Sequence, residues 1–117
     1  MSLPRVRALA AMLGQDPQHI PEFLPPLWHW GFAYEPVTPG LVGDDGHPLR
    51  GGFLPPVSLR RRMRAGGRVE ILGELAIGAG IRRVSTVTTV DEKVGRTGPL
   101  AFVTVEHRIQ VEGHEVI

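Results

Sequence analysis

Residues 68–117 read RVEILGELAIGAGIRRVSTVTTVDEKVGRTGPLAFVTVEHRIQVEGHEVI. Over 68–77, Val69, Ile71, Leu75 and Ile77 alternate onto one face, the two-residue period of a strand. Gly78-Ala79-Gly80 then turns the chain, and 81–93, rich in valine and threonine, predicts its return. Gly95 to Pro99 supplies a second turn. Residues 100–111 place Ala101, Val103, Val105, Ile109 and Val111 inward and Glu106, Arg108 and Gln110 outward, with His107 on the apolar face by parity. Glu112-Gly113 is a two-residue hairpin turn, and 114–117 begins a further strand that is incomplete where the sequence stops. Strands joined by such short turns are antiparallel, and their apolar face needs a cover.

Working outward, Leu54, Val57, Leu59 and Met63 lie between Gly51-Gly52 and Gly66-Gly67, and Pro55 and Pro56 suit a first helical turn, so 54–64 is predicted as a helix. It is the one element of the right size to cover the sheet. Upstream, nine of the eleven prolines fall within 17–56 and exclude a long regular element there. Phe23, Leu24, Leu27, Trp28, Trp30, Phe32 and Tyr34 are nevertheless too apolar to stay wet, which predicts an ordered wrap with one short strand near 32–37. Residues 2–14 read as a helix: Ser2 caps it, Pro4 fits its first turn, Val6, Leu9, Ala10 and Leu13 form its stripe, and Gly14 ends it. The expected fold is α+β, an antiparallel sheet curled around one central helix, the hot-dog architecture.

Composition narrows the classes. The 117 residues suit one domain, and no apolar run approaches the roughly 18 residues of a membrane span. Zero cysteines exclude disulfides, thiolate metal sites and a cysteine nucleophile, and they favour a cytoplasmic location. A net charge of +1 gives no general field for nucleic acid. Five histidines without carboxylate-backed ligand spacing argue against a metal, and three serines without a nucleophile elbow argue against a serine hydrolase.

Three motifs are more specific. Leu24-Pro25-Pro26-Leu27-Trp28-His29-Trp30, Asp45-Gly46-His47-Pro48 and Gly51-Gly52-Phe53-Leu54-Pro55-Pro56 together resemble the N-terminal hot-dog half of type-2 hydroxyacyl-thioester dehydratases, the MaoC-like and mesaconyl-C4-CoA hydratase-like family. Arg68-Val69-Glu70 and the stretch from Gly95 to Val103 fit the same half. The resemblance covers 4–117 and implies one domain over 1–117: the helix 2–14, a Pro-rich wrap 17–52, and a central helix with its meander over 53–117. It implies reversible hydration of an enoyl thioester, in which a base activates water and a donor polarises the thioester carbonyl. In that family the catalytic pair lies in the C-terminal hot dog, in a motif like Asp-x-Asn-Pro-(Ile/Leu)-His. The N-terminal half shapes the acyl channel.

The nearest echo of that motif here is Asp45-Gly46-His47-Pro48-Leu49-Arg50, with arginine in place of the catalytic histidine. Arginine stays protonated and is no base at pH 7. The segment reads as turn-forming, or else as part of a self-sufficient small hydratase that uses His47, oriented by Asp45, or His29 across a dimer interface. His29, between two tryptophans, either touches a substrate carbonyl or adenine or is a core histidine. If the 54–64 helix runs along the sheet as the resemblance implies, an acyl tail lies by Trp28, Trp30 and Phe53, and the phosphates of coenzyme A reach Arg60, Arg61 or Arg64. The alternative for those arginines is a solvated helix end. The resemblance thus implies an acyl-CoA or acyl-carrier-protein thioester as substrate, no cofactor, and a homodimer or a heterodimer with a catalytic hot-dog subunit. A third reading is a binding-only acyl-CoA sensor or scaffold.

Overall fold

Runs rich in β-branched residues make the longest regular elements of the computed structural model, which describes residues 1–59 and 61–117. These are β1 (Ile81–Gly95) and β2 (Gly98–Val111), joined through Arg96 and Thr97. With β3 (His114–Glu115) they form a three-stranded sheet in the order β1-β2-β3. The β2–β3 pair is antiparallel, with Gln110 opposite Glu115 and Val111 opposite His114. Glu112 and Gly113 both take positive φ, 50° and 85°, the primed turn whose twist suits a two-residue hairpin. Beyond β3, Val116 and Ile117 both donate N–H to the carbonyl of Ile109, while Ile109 donates to Ile117. Two residues therefore oppose one, a β-bulge. On β2 the expected alternation holds at Ala101, Val103, Val105 and Ile109, but His107 is exposed rather than core.

The chain divides into two compact units: Met1–Tyr34, Val69–Val84 and His107–Ile117 form unit 1, and Glu35–Arg68 with Ser85–Glu106 form unit 2. In unit 1, α1 (Leu3–Met12) buries Val6 and Ala10. Gly14 (φ 72°) ends it: its N–H bonds to Ala11 and that of Gln15 to Ala10, the Schellman pair of bonds. Ser2 holds the N-cap position, but its side chain makes no cap bond. Val6, Leu24, Leu75, Ile109 and Val116 form the core.

Two expected strands are not formed. Residues 68–77 touch neighbouring backbone only at points: Leu72 and Gly73 donate to Val116, Leu24 donates to Leu75 at 2.8 Å, and Ile77 donates to Glu22 at 3.0 Å around a Phe23–Ala76 bridge. The facing segment carries Pro21, Pro25 and Pro26, which have no N–H, so a ladder cannot extend. Residues 32–37 are not a strand either. The chain instead makes a 3-10 turn at Trp28–Gly31, and Arg5 of α1 lies over the Phe32 and Tyr34 rings while donating to the Tyr34 hydroxyl. The wrap is also wetter than its composition suggests: Phe23, Leu27, Trp30 and Tyr34 are exposed.

In unit 2 the expected 54–64 helix is absent from the described residues, and Arg60 lies outside them. Arg50 Nη1 donates to the carbonyls of Val57 and Leu59, groups an α-helix would engage internally, and Pro55 and Pro56 remove two donors. Val57, Leu59 and Met63 sit at even spacing, so they fit a two-residue period as well as a helical stripe. The α+β class rests on α1 and the three-stranded sheet, and no sheet curls around a 54–64 helix in the described residues. None of the described helices is long and apolar enough to cross a membrane.

Ile109 is 2% exposed and Val94 90% exposed. Ile109→Ala is expected to cost about 2–5 kcal/mol in urea unfolding, and Val94→Ala less than about 0.5 kcal/mol. Equal losses would contradict the placement of the core.

Candidate functional site

Residues 54–59 and 61–63 form no helix or strand, and several of them come to the inward-facing residues of β2. The two segments line a cleft in unit 2 of about 270 Å³, with Leu54, Val57 and Leu59 facing Ala101, Val103 and Val105. Arg50, Arg61 and Arg62 bring three guanidinium groups to its wall. Two of them are engaged. Arg50 holds the Val57 and Leu59 carbonyls, and Arg62 donates to the Pro48 carbonyl at 3.2 Å with its Nε 3.5 Å from Asp45 Oδ2. No hydrogen bond or ion pair joins Arg61 to another described residue, and its side chain is exposed. An apolar floor beside a fixed positive rim fits an amphipathic anion.

Asp45 and His47 do come together, in a small hairpin closed by a Val42–Pro48 bridge. Their geometry is that of a turn. Asp45 Oδ1 accepts the His47 backbone N–H at 3.1 Å, and His47 Nδ1 lies 2.9 Å from the Asp45 carbonyl oxygen and 3.8 Å from its carboxylate. The His47 N–H, followed by the Arg62, His47 and Arg50 charges, holds the Asp45 carboxyl below its ordinary value, outweighing some desolvation. A carboxylate so depressed is a poor general base. His47 is exposed, and neither residue lines the cleft.

His29 is placed differently. Pro25, Pro26 and Leu27 (φ 69°) make a tight turn closed by the Trp28 N–H on the Pro25 carbonyl. The 3-10 turn that follows carries His29 inward, where it is 4% exposed. Its ring meets Trp30 edge-on, centroids 5.8 Å apart at 70°. Burial lowers its pKa from the ordinary 6.5. It lines a second cleft, within unit 1, of about 370 Å³, together with Phe23, Leu24, Ile71 and Leu75.

Of the other expected site residues, Trp28 packs against the unit 1 core, while Trp30 is 50% and Phe53 55% exposed. Trp28 and Trp30 belong to unit 1, Phe53 to unit 2. Arg61 lines the unit 2 cleft; Arg64 is exposed beside Gly67 and does not line it. Arg60 lies outside the described residues. Sequence reasoning missed Arg50 as a wall residue. No local spacing marked it: Arg50 reaches the wall by holding the Val57 and Leu59 carbonyls. Among the described residues no group of three or more histidines and carboxylates could hold a metal ion.

No family model matches the chain. The chain is similar to the mesaconyl-C(4)-CoA hydratase of Chloroflexus aurantiacus, at 45% identity over 94 residues, which are 80% of this chain and 33% of that protein. It thus spans about a third of the length of the curated relative it matches.

The histidines set an expected pH dependence. Burial lowers the pKa of His29, and partial desolvation of the otherwise exposed His107, with the nearby Arg83 charge, lowers that of His107. The unfolded chain therefore takes up these protons first on acidification. Stability is full above the ordinary value of 6.5 and falls as pH drops through it toward the folded values. Urea midpoints between pH 7.5 and 5.5 should decline, and His29→Gln with His107→Gln should flatten the decline. An unchanged slope in the double variant would contradict it.

Proposed function

We propose that this chain is an acyl-thioester-binding part of a MaoC-like enoyl-thioester hydratase, corresponding to the N-terminal hot-dog half that shapes the acyl channel. The observation that carries the reading is its 45% identity to a mesaconyl-C(4)-CoA hydratase across 80% of its length. The substrate is an acyl-CoA or acyl-carrier-protein thioester. The unit 2 cleft supports this: its floor of Val57, Leu59, Ala101, Val103 and Val105 suits an acyl or pantetheine segment, and its arginines suit phosphate.

The chemistry belongs to a catalytic hot-dog partner, on another chain or another domain. Hydration needs a base poised near the working pH beside the substrate. His47 is exposed in a turn, and the Asp45 carboxylate is tied to a backbone N–H and to Arg62. His29 and Glu74 line one cleft but share no hydrogen bond. What the described residues supply is binding, with positive charge for phosphate, and the proposed partner supplies the base.

Calorimetric titration with crotonyl-CoA and decanoyl-CoA tests the reading. Both should bind, and Arg61→Ala should weaken both by about ten-fold at low salt, as loss of one charged phosphate contact does. The difference should shrink at high salt through screening. If neither ester binds the parent chain at millimolar concentration, the chain has no thioester site of its own.

A further inference from the structure

The unit 1 cleft plays no part in the binding just described, and its chemistry differs from that of the arginine-lined one. Its walls are apolar: Pro21, Phe23, Leu24, Ile71 and Leu75. Glu74 brings the one carboxylate side chain to its lining, it is exposed, and no lysine or arginine lines the cleft. An anionic ligand has nothing to meet there.

His29 is the exception in that apolar wall. It is buried, yet no hydrogen bond joins its imidazole to another described residue. Among the described residues, no side-chain nitrogen or oxygen is both sealed from solvent and without a partner. The His29 ring is thus neither sealed nor paired among the described residues, and His29 lines the cleft. Buried polar groups are ordinarily paired, so an open imidazole in an apolar pocket points to a missing partner. Burial favours the uncharged ring, which offers one N–H and one lone pair.

We infer that the unit 1 cleft takes a short apolar acyl group whose neutral carbonyl oxygen accepts a hydrogen bond from the His29 imidazole. The chemistry is shared by thioester and amide carbonyls; choosing the thioester rests on the proposed function above. The volume of about 370 Å³ accommodates a small acyl compound, at the lower end of ligand sites. His29 here is a binding residue and performs no proton transfer.

The test uses two phosphate-free probes, the crotonyl thioester of N-acetylcysteamine and N-propyl crotonamide. Long-range imidazole NMR spectra of the ¹⁵N-labelled chain report on His29. Both probes should shift the His29 ring nitrogens, and binding should be indifferent to salt and to Arg61→Ala. His29→Phe should weaken binding by about five- to ten-fold, the loss of one neutral hydrogen bond. Ile71 is an exposed wall residue, so Ile71→Trp fills the cleft without disturbing the core and should abolish binding. Unchanged affinity in both variants, or no binding of either probe at millimolar concentration, overturns the site. Binding of the amide alone supports the site and counts against the thioester reading. Binding of crotonyl-CoA through Arg61 without a His29 shift supports the thioester reading and overturns the site.

Discussion

Unit 1 depends on one pairing, in which Val116 and Ile117 together oppose Ile109. The primed turn at Glu112-Gly113 returns the chain onto β2, and the bulge then leaves the Val116 carbonyl free to accept from Leu72 and Gly73. Once 72–73 is anchored, Leu75 and Ile77 meet the 22–24 segment, and Leu24, Leu75, Ile109 and Val116 close over Val6 of α1. Burying side chains of this kind contributes roughly 1.5–3 kcal/mol each. The same closure supplies Leu24, Leu75 and Ile117 to the cleft that His29 enters.

Unit 2 is held by different means. Every described residue that is fully buried belongs to unit 1. Unit 2 relies on polar clasps instead, Arg50 on the Val57 and Leu59 carbonyls and Arg62 on Pro48 and Asp45. Val90, Val94, Leu100 and Phe102 of its strands remain exposed. The two clefts divide along the same line: guanidinium groups over an apolar floor in unit 2, and a neutral imidazole in an apolar wall in unit 1.

Local rules made part of this legible. The valine- and threonine-rich run over 81–93, the parity of Ala101 to Ile109 and the Glu112-Gly113 turn each encode their structure within a few residues, and so does the helix ended by Gly14. Non-local terms decided the rest. The stretch 54–64 fits both a helical stripe and a two-residue period, and a side chain from outside it, Arg50, captures its carbonyls. The alternation over 68–77 is real, but a strand also needs a partner, and the facing prolines cannot donate. Of the site, Arg61 was visible as part of a cationic cluster. Arg50 was set aside as a failed catalytic histidine, although its position in the fold gives it a structural task. Whether His29 was core or site could not be read from its tryptophan neighbours. Its burial and its open ring are tertiary properties.

Binding and chemistry are separate in the proposed function: this chain holds the thioester, and a catalytic hot-dog partner hydrates it. The most direct test follows the enoyl absorbance of crotonyl-CoA with the purified chain alone and with a hot-dog subunit carrying an Asp-x-Asn-Pro-x-His motif. The expected result is no more than trace hydration by the chain alone, and hydration that rises with added chain once the subunit is present. Turnover by the chain alone in the ordinary enzyme range of about 1–1,000 per second, abolished by His47→Ala, would contradict it.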